Sequence, residues 1–236
     1  MLYHNYLIYI FLAIGVVASI ATRKLTPLAA ITAGIVGLLV FEGGGYAGII
    51  MLTVFFILGT IATGWKRKRK QKIGAADAHK AERTAGQVLA NGGVAALLGF
   101  FGWYAHEYKV LITYMMAGSL AAATADTLSS EIGTIIGRRF YNILSLKPDE
   151  RGLDGVVSLE GTIVGIIGAA VIAAIFASSY SWDIGAVWII LAGFIGNIVD
   201  SVLGATLERR KMMGNNTVNF VNTLSGAVVC WLLFRL

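Results

Sequence analysis

Ala125-Asp126-Thr127-Leu128-Ser129-Ser130-Glu131-Ile132-Gly133 decides how the chain must be folded. The stretch lies within an apolar run over 110–137, yet it carries five polar side chains between positions 126 and 131. A carboxylate in a lipid-facing helix costs on the order of 3 kcal/mol. Asp126 and Glu131 must therefore face a protein interior, a partner or an ion. Directly downstream come Gly137-Arg138-Arg139-Phe140, a polar loop, and Ser158-Leu159-Glu160-Gly161-Thr162. An acid, a basic pair and a Ser/Glu/Gly helix start suit a magnesium nucleotide held at a membrane surface.

The surrounding composition agrees with a membrane setting. The 236 residues are 57% hydrophobic and 14% charged, with 29 glycines. A soluble domain carries about 25% charge. Glycine enrichment is usual where spanning helices pack closely. The single cysteine, Cys230, lies in an apolar run, which excludes disulfides within the chain and cysteine-built metal sites. Apolar runs of spanning length fall near 5–22, 26–41, 46–64, 85–105, 110–137, 161–180, 185–207 and 217–234. The expected fold is all-α: one polytopic integral membrane bundle over 1–236, with about eight transmembrane helices. The second run is short enough to be re-entrant. The first lacks a basic n-region and is followed by Arg23-Lys24, which suits a spanning helix better than a cleaved signal.

The charges set an orientation. Alternate loops carry Arg23 and Lys24, the basic loop 65–84, the loop 138–160, and Arg209-Arg210-Lys211, whereas the opposite loops hold only Lys109. The positive-inside rule then places both termini outside and the long loops in the cytoplasm of an inner membrane. The excess of +6 thus marks topology and not nucleic-acid binding. Trp65-Lys66-Arg67-Lys68-Arg69-Lys70 is read first as an anchor for anionic headgroups. Recruitment of a phosphorylated substrate is the sharper alternative.

Polar stripes converge on the cytoplasmic half. Arg83, Gln87 and Asn91 are spaced by four; Asn197, Asp200 and Gly204 by three and four; Asn215, Asn219 and Asn222 by four and three. At about 1.5 Å of rise per residue, Glu131 lies about 9 Å and Asp126 about 17 Å from the end of their helix. The two acids are about 140° apart around it, so they do not chelate one ion from one undistorted face. Asp126 is expected instead to meet Asp200 or the asparagines, while Glu131 on the Thr127/Thr134 stripe faces a neighbouring wall. Asparagines singly are as well explained as glue between helices. Gly133/Gly137 and Gly161/Gly165 match small-xxx-small packing. His4, His79 and His106 have no metal-ligand spacing.

The loop 138–160 is expected to lie over the site. Pro148-Asp149-Glu150-Arg151-Gly152 and Asp154-Gly155 are turn signals for a small hairpin. Arg138 and Arg139 either clamp phosphates in forked geometry or anchor the membrane surface. Ser158 to Thr162 is either a phosphate-binding helix start or an ordinary one.

The order Ala125-Asp126, Gly137-Arg138-Arg139-Phe140 and Ser158-Leu-Glu-Gly161-Thr is similar to the dolichol, polyprenol and phytol kinases. Arg83 to Gly93, Asp126 to Gly133, Asp154 to Thr162, Asp200 to Ala205 and Asn215 to Phe220 resemble the phytyl-phosphate kinase family more closely. That family includes the vertebrate transmembrane protein nineteen. The resemblance runs from Thr22 onward; the basic block at 65–72 matches no motif of the family. It implies phosphoryl transfer from a nucleotide, CTP being favoured, to an isoprenoid monophosphate such as phytyl or geranylgeranyl phosphate. It further implies Mg²⁺ on Asp126 and Asp200, with Glu131 as a third ligand. Arg83, Arg138 and Arg139 would neutralise phosphates, and Asn91, Asn219, Asn222, Ser158 and Gly161 would bind phosphate or metal-bound water. A prenol kinase or CDP-lipid cytidylyltransferase is the alternative within this chemistry, and a cation- or proton-coupled transporter the alternative outside it.

Overall fold

The structure is a computed structural model describing residues 6–72 and 82–234. His4, His79, Lys80 and Arg235, and the central part of the 65–84 loop, lie outside the described residues. The chain forms α1 (Tyr6–Ala21), α2 (Pro27–Gly64), a short α3 (Arg67–Lys72), α4 (Ala85–Tyr104), α5 (Lys109–Ile136), α6 (Leu159–Ser179), α7 (Ile184–Leu203) and α8 (Asn215–Leu233). A two-stranded hairpin, β1 (Tyr141–Asn142) with β2 (Val156–Val157), precedes α6. The fold is the all-α membrane bundle expected. Among the described residues, α2, α4, α6 and α7 with its extension to Glu208 are each long and apolar enough to cross a membrane.

α2 is two arms. Gly45 adopts φ 61°, ψ −151°, a conformation that costs glycine little and other residues much. The chain reverses there: a Cβ on Gly48 would lie 2.9 Å from the carbonyl of Val40, and one on Gly37 3.5 Å from the Ile49 side chain. The runs 26–41 and 46–64 are thus antiparallel partners. The expected loop at 42–45 shrinks to one residue, because the helix continues through Glu42, Gly43 and Gly44. Counted with both arms of α2, the long helices give about eight segments.

α5 is the axis, packed by α2, α4, α6, α7 and α8. Met116, Ala117, Ser119, Leu120 and Ala121 to Ala123 have no exposed surface. A helix surrounded on all sides needs small side chains rather than greasy ones. This explains why α5, rich in Ala, Gly, Ser and Thr, is less apolar than α2, α4, α6 and α7. Its close approaches are backbone contacts. A Cβ on Gly118 would sit 2.5 Å from the Gly226 carbonyl of α8, and one on Gly133 would sit 2.5 Å from the Gly161 Cα of α6.

One end of the bundle is tied together by polar contacts. The Thr26 N–H donates to the Arg83 carbonyl (3.1 Å) and the Arg83 N–H to the Lys24 carbonyl (2.9 Å), joining the α1–α2 and α3–α4 connections. Across the same end, Arg209 donates from Nε to the Asp154 carbonyl (2.6 Å) and from its guanidinium to Asp149 (2.8 Å). This holds the 138–158 loop against the last turn of α7. That turn, Gly204–Glu208, is a π-turn, a widening frequently found at functional sites. Gly155, at φ 70°, lies so close against Ser201 and Ala205 that a Cβ has no room.

Candidate functional site

A cavity of about 340 Å³ opens at this tied end. Its wall is polar because each surrounding helix presents the stripe read from its sequence. α4 and its lead-in supply Arg83, Gln87 and Asn91; α5 supplies Asp126, Thr127 and Glu131; α7 supplies Asn197, Asp200 and Glu208; α8 begins with Asn215 and Asn219. Phe140, Ser158 and the segment Gly152–Val157 complete the wall.

The centre is a facing pair of acids. Asp126 and Asp200 both line the cavity, near enough for each carboxyl to feel the other. Ionised carboxylates only accept, so this proximity is stable only with a proton or cation between them. Asp200 Oδ1 is buried with no donor. The chemistry of this donor set fits a hard cation: two carboxylates and an amide oxygen, with room for water and phosphate oxygens. Asn91 Nδ2 donates to the Gln87 carbonyl at 2.9 Å, which leaves its Oδ1 buried and unpartnered. Gln87 Oε1 is used to close the start of α4, accepting from the Thr84 N–H at 2.9 Å in a reciprocal cap.

Glu131, also on the cavity wall, is paired with a lysine. Lys70 Nζ lies 2.6 Å from Glu131 Oε2, and it also donates to the Ala62 carbonyl at 2.7 Å. α3 therefore folds back beneath the second arm of α2, and Lys70, 1% exposed, caps that arm while pairing with Glu131. Among the described residues, no three His, Cys, Asp or Glu side chains converge as a metal-binding group. Glu131 thus serves as a counter-charge to Lys70 while lining the same cavity as Asp126 and Asp200.

Arg83 is half-buried, with its guanidinium donating to Thr63 Oγ1 at 3.4 Å. Burial lowers its pKa and the nearby Glu131 charge opposes that. Arg83 thus holds a weak bond and keeps most of its fork of donors for the cavity.

Other expected site residues are not brought to the cavity wall. Arg138 and Arg139 are exposed and outside the lining, since the chain leaves α5 at Gly137 and turns away into β1. Gly161 is spent on packing against Gly133, and its N–H donates to Ser158 Oγ at 3.1 Å. The α6 start is thus self-capped, with Ser158 itself on the cavity wall. Asn222 is fully buried below the cavity beside Gly196, both its side-chain polar atoms unpartnered.

The sequence reading missed Lys70, Glu208 and Asp154. Nothing distinguishes Lys70 from the five basic neighbours around it. Glu208 had a signal: it continues the Asp200–Gly204 spacing of four, but its position beside Arg209-Arg210 made it look like loop.

The fold and the site together define a polytopic membrane protein with a buried acid-and-amide cavity at one end of its bundle. The chain belongs to the integral membrane protein family DUF92, whose model matches residues 10–227. It is 31% identical over 236 residues to an uncharacterized membrane protein of Methanocaldococcus jannaschii, covering 97% of this chain and 95% of that one. It is 30% identical over 207 residues to Protein VTE6, chloroplastic, of Arabidopsis thaliana, covering 84% of this chain and 62% of that one. An uncharacterized membrane protein of Synechocystis is 29% identical, covering 90% and 84% of the two chains. No solved structure matches the chain.

Proposed function

We propose that the protein is a membrane-embedded, NTP-dependent kinase, with CTP favoured, that converts an isoprenoid monophosphate to its diphosphate. The observation that carries this reading is the partly buried Asp126–Asp200 pair on the wall of a cavity that also presents Arg83, Asn91 and Asn219. Phosphoryl transfer asks a protein mainly to position its reactants and neutralise charge, and these residues supply both. Asp126 and Asp200 would hold Mg²⁺, which characteristically takes one or two carboxylates and completes its shell with water and substrate phosphates. The ion supplies neutralisation of phosphate charge when bound. Arg83 binds a phosphate through its forked guanidinium. Asn91 and Asn219 orient phosphate oxygens or water. The acceptor oxygen is anionic at neutral pH, so no strong base is needed to activate it. The distribution of lysine and arginine supports an orientation with this end in the cytoplasm, where nucleotide is available.

The test is the fate of the nucleotide. Purified protein in detergent, given Mg²⁺, geranylgeranyl monophosphate and γ-labelled CTP or ATP, should move label into the lipid diphosphate and release nucleoside diphosphate. Label released as pyrophosphate would replace the kinase with a cytidylyltransferase. No reaction with folded protein across several chain lengths would remove both.

A further inference from the structure

A second cavity, of about 160 Å³, lies between α1, the two arms of α2, and α4. Its walls are Phe11, Leu12, Val16, Leu52, Phe55 and Phe56 with small residues between them, and it is apolar except at one margin. That margin is Arg83, Gln87 and Asn91, the same three residues that line the polar cavity. The two spaces share this wall, so one residue stripe faces a charged site on one side and a greasy groove on the other.

We infer that this groove holds the apolar tail of the lipid phosphate acceptor, with Arg83 at the junction of tail and head. The inference rests on the kinase reading for the identity of the acceptor and deepens it by naming the helices that select the lipid. The charge complementarity is specific. A groove serving only as a packing defect has no need of a half-buried arginine and a buried, unpartnered amide oxygen at its mouth, whereas a phosphate on an apolar chain matches them. From Ser19 to Phe11 the groove follows α1 for about 12 Å, at the helix rise per residue. It narrows because small residues let helices close in: a Cβ on Gly34 would lie 3.0 Å from the Val16 side chain. One linear chain suits such a slot better than the paired chains of a glycerolipid.

Gly15 makes this testable. It lines the groove, and a Cβ built on it meets nothing within 4 Å. A larger side chain can therefore be added on the groove wall without its first atom striking a neighbouring helix. In nanodiscs, geranylgeranyl monophosphate carrying a diazirine at the tail end should, on irradiation, label Phe11, Leu12, Phe55 or Phe56. Unlabelled geranylgeranyl phosphate should compete this labelling away and geranylgeraniol should not. Gly15→Leu should reduce it about tenfold or more, the scale of discrimination a filled apolar pocket achieves. Adducts instead on Leu89, Leu97 or Phe220, which line a separate groove between α2, α4 and α8, would overturn the assignment, as would undiminished labelling in Gly15→Leu. The readout does not depend on turnover. Labelling in the groove without any phosphoryl transfer would leave the tail site standing and remove the kinase.

Discussion

Lys70 and Glu131 show how one residue's role depends on its neighbours in space. Both belong to segments with an ordinary reading, a basic anchor and an acid aimed at a metal, and the fold joins them in a short ion pair. Removing one partner strands the other. Lys70→Met is expected to lower stability by about 1–3 kcal/mol, below the usual cost of breaking a fully buried pair because Glu131 is partly exposed. Lys70→Met with Glu131→Gln should recover part of that loss. Thermal unfolding of the three variants in detergent measures the coupling. Additive losses would mean that the pair is not formed. The asparagine and aspartate stripes were legible because helical periodicity alone puts positions three and four apart on one face. Lys70 was not legible, since periodicity says nothing about which member of a basic run turns inward.

At the level of elements, the contacts that position the acids are made by glycine. α5 touches α8 at Gly118 and Gly226, and α6 at Gly133 and Gly161, with backbone against backbone. Gly118→Val should cost about 1–3 kcal/mol or more, the range for overpacking a core, because the atoms it strikes are the Gly226 carbonyl and Cys230. Gly64→Ala, at the end of α2 where an added Cβ meets nothing within 4 Å, should not lower stability, since Ala favours helix over Gly. Monodisperse yield and unfolding temperature report both. Equal losses in the two variants would contradict the packing account. The small-xxx-small spacing pointed to Gly133 and Gly161 as packing positions in sequence, but not to Gly118 and Gly226. It did not show that Gly161 would be consumed by packing instead of binding phosphate. The reversal at Gly45 was also only half visible. A Glu-Gly-Gly-Gly run reads as loop, and tertiary packing keeps its first three residues helical.

Across the whole molecule, the number of apolar runs and their order were legible because a membrane bundle writes its architecture in hydropathy. What the pattern did not contain was which polar groups meet, since that depends on helix rotation and on the hairpin loop pinned by Arg209. The sidedness expected from charge is directly testable. Ser145→Cys lies in the loop at the cavity end and Ser181→Cys at the opposite end, both exposed, while native Cys230 is buried. A membrane-impermeant maleimide should label Ser181→Cys in intact cells and Ser145→Cys only after permeabilisation; the reverse pattern would turn the site outward. The central claim is that the facing acids, Asp126 and Asp200, form the phosphoryl-transfer site. Its most direct test is single-turnover transfer from γ-labelled CTP to geranylgeranyl monophosphate in Mg²⁺, comparing the native protein with Asp126→Asn. The account predicts label in the lipid diphosphate with native protein and a loss of roughly 100-fold or more in the variant, which should still insert and fold. Near-native transfer by Asp126→Asn would contradict it.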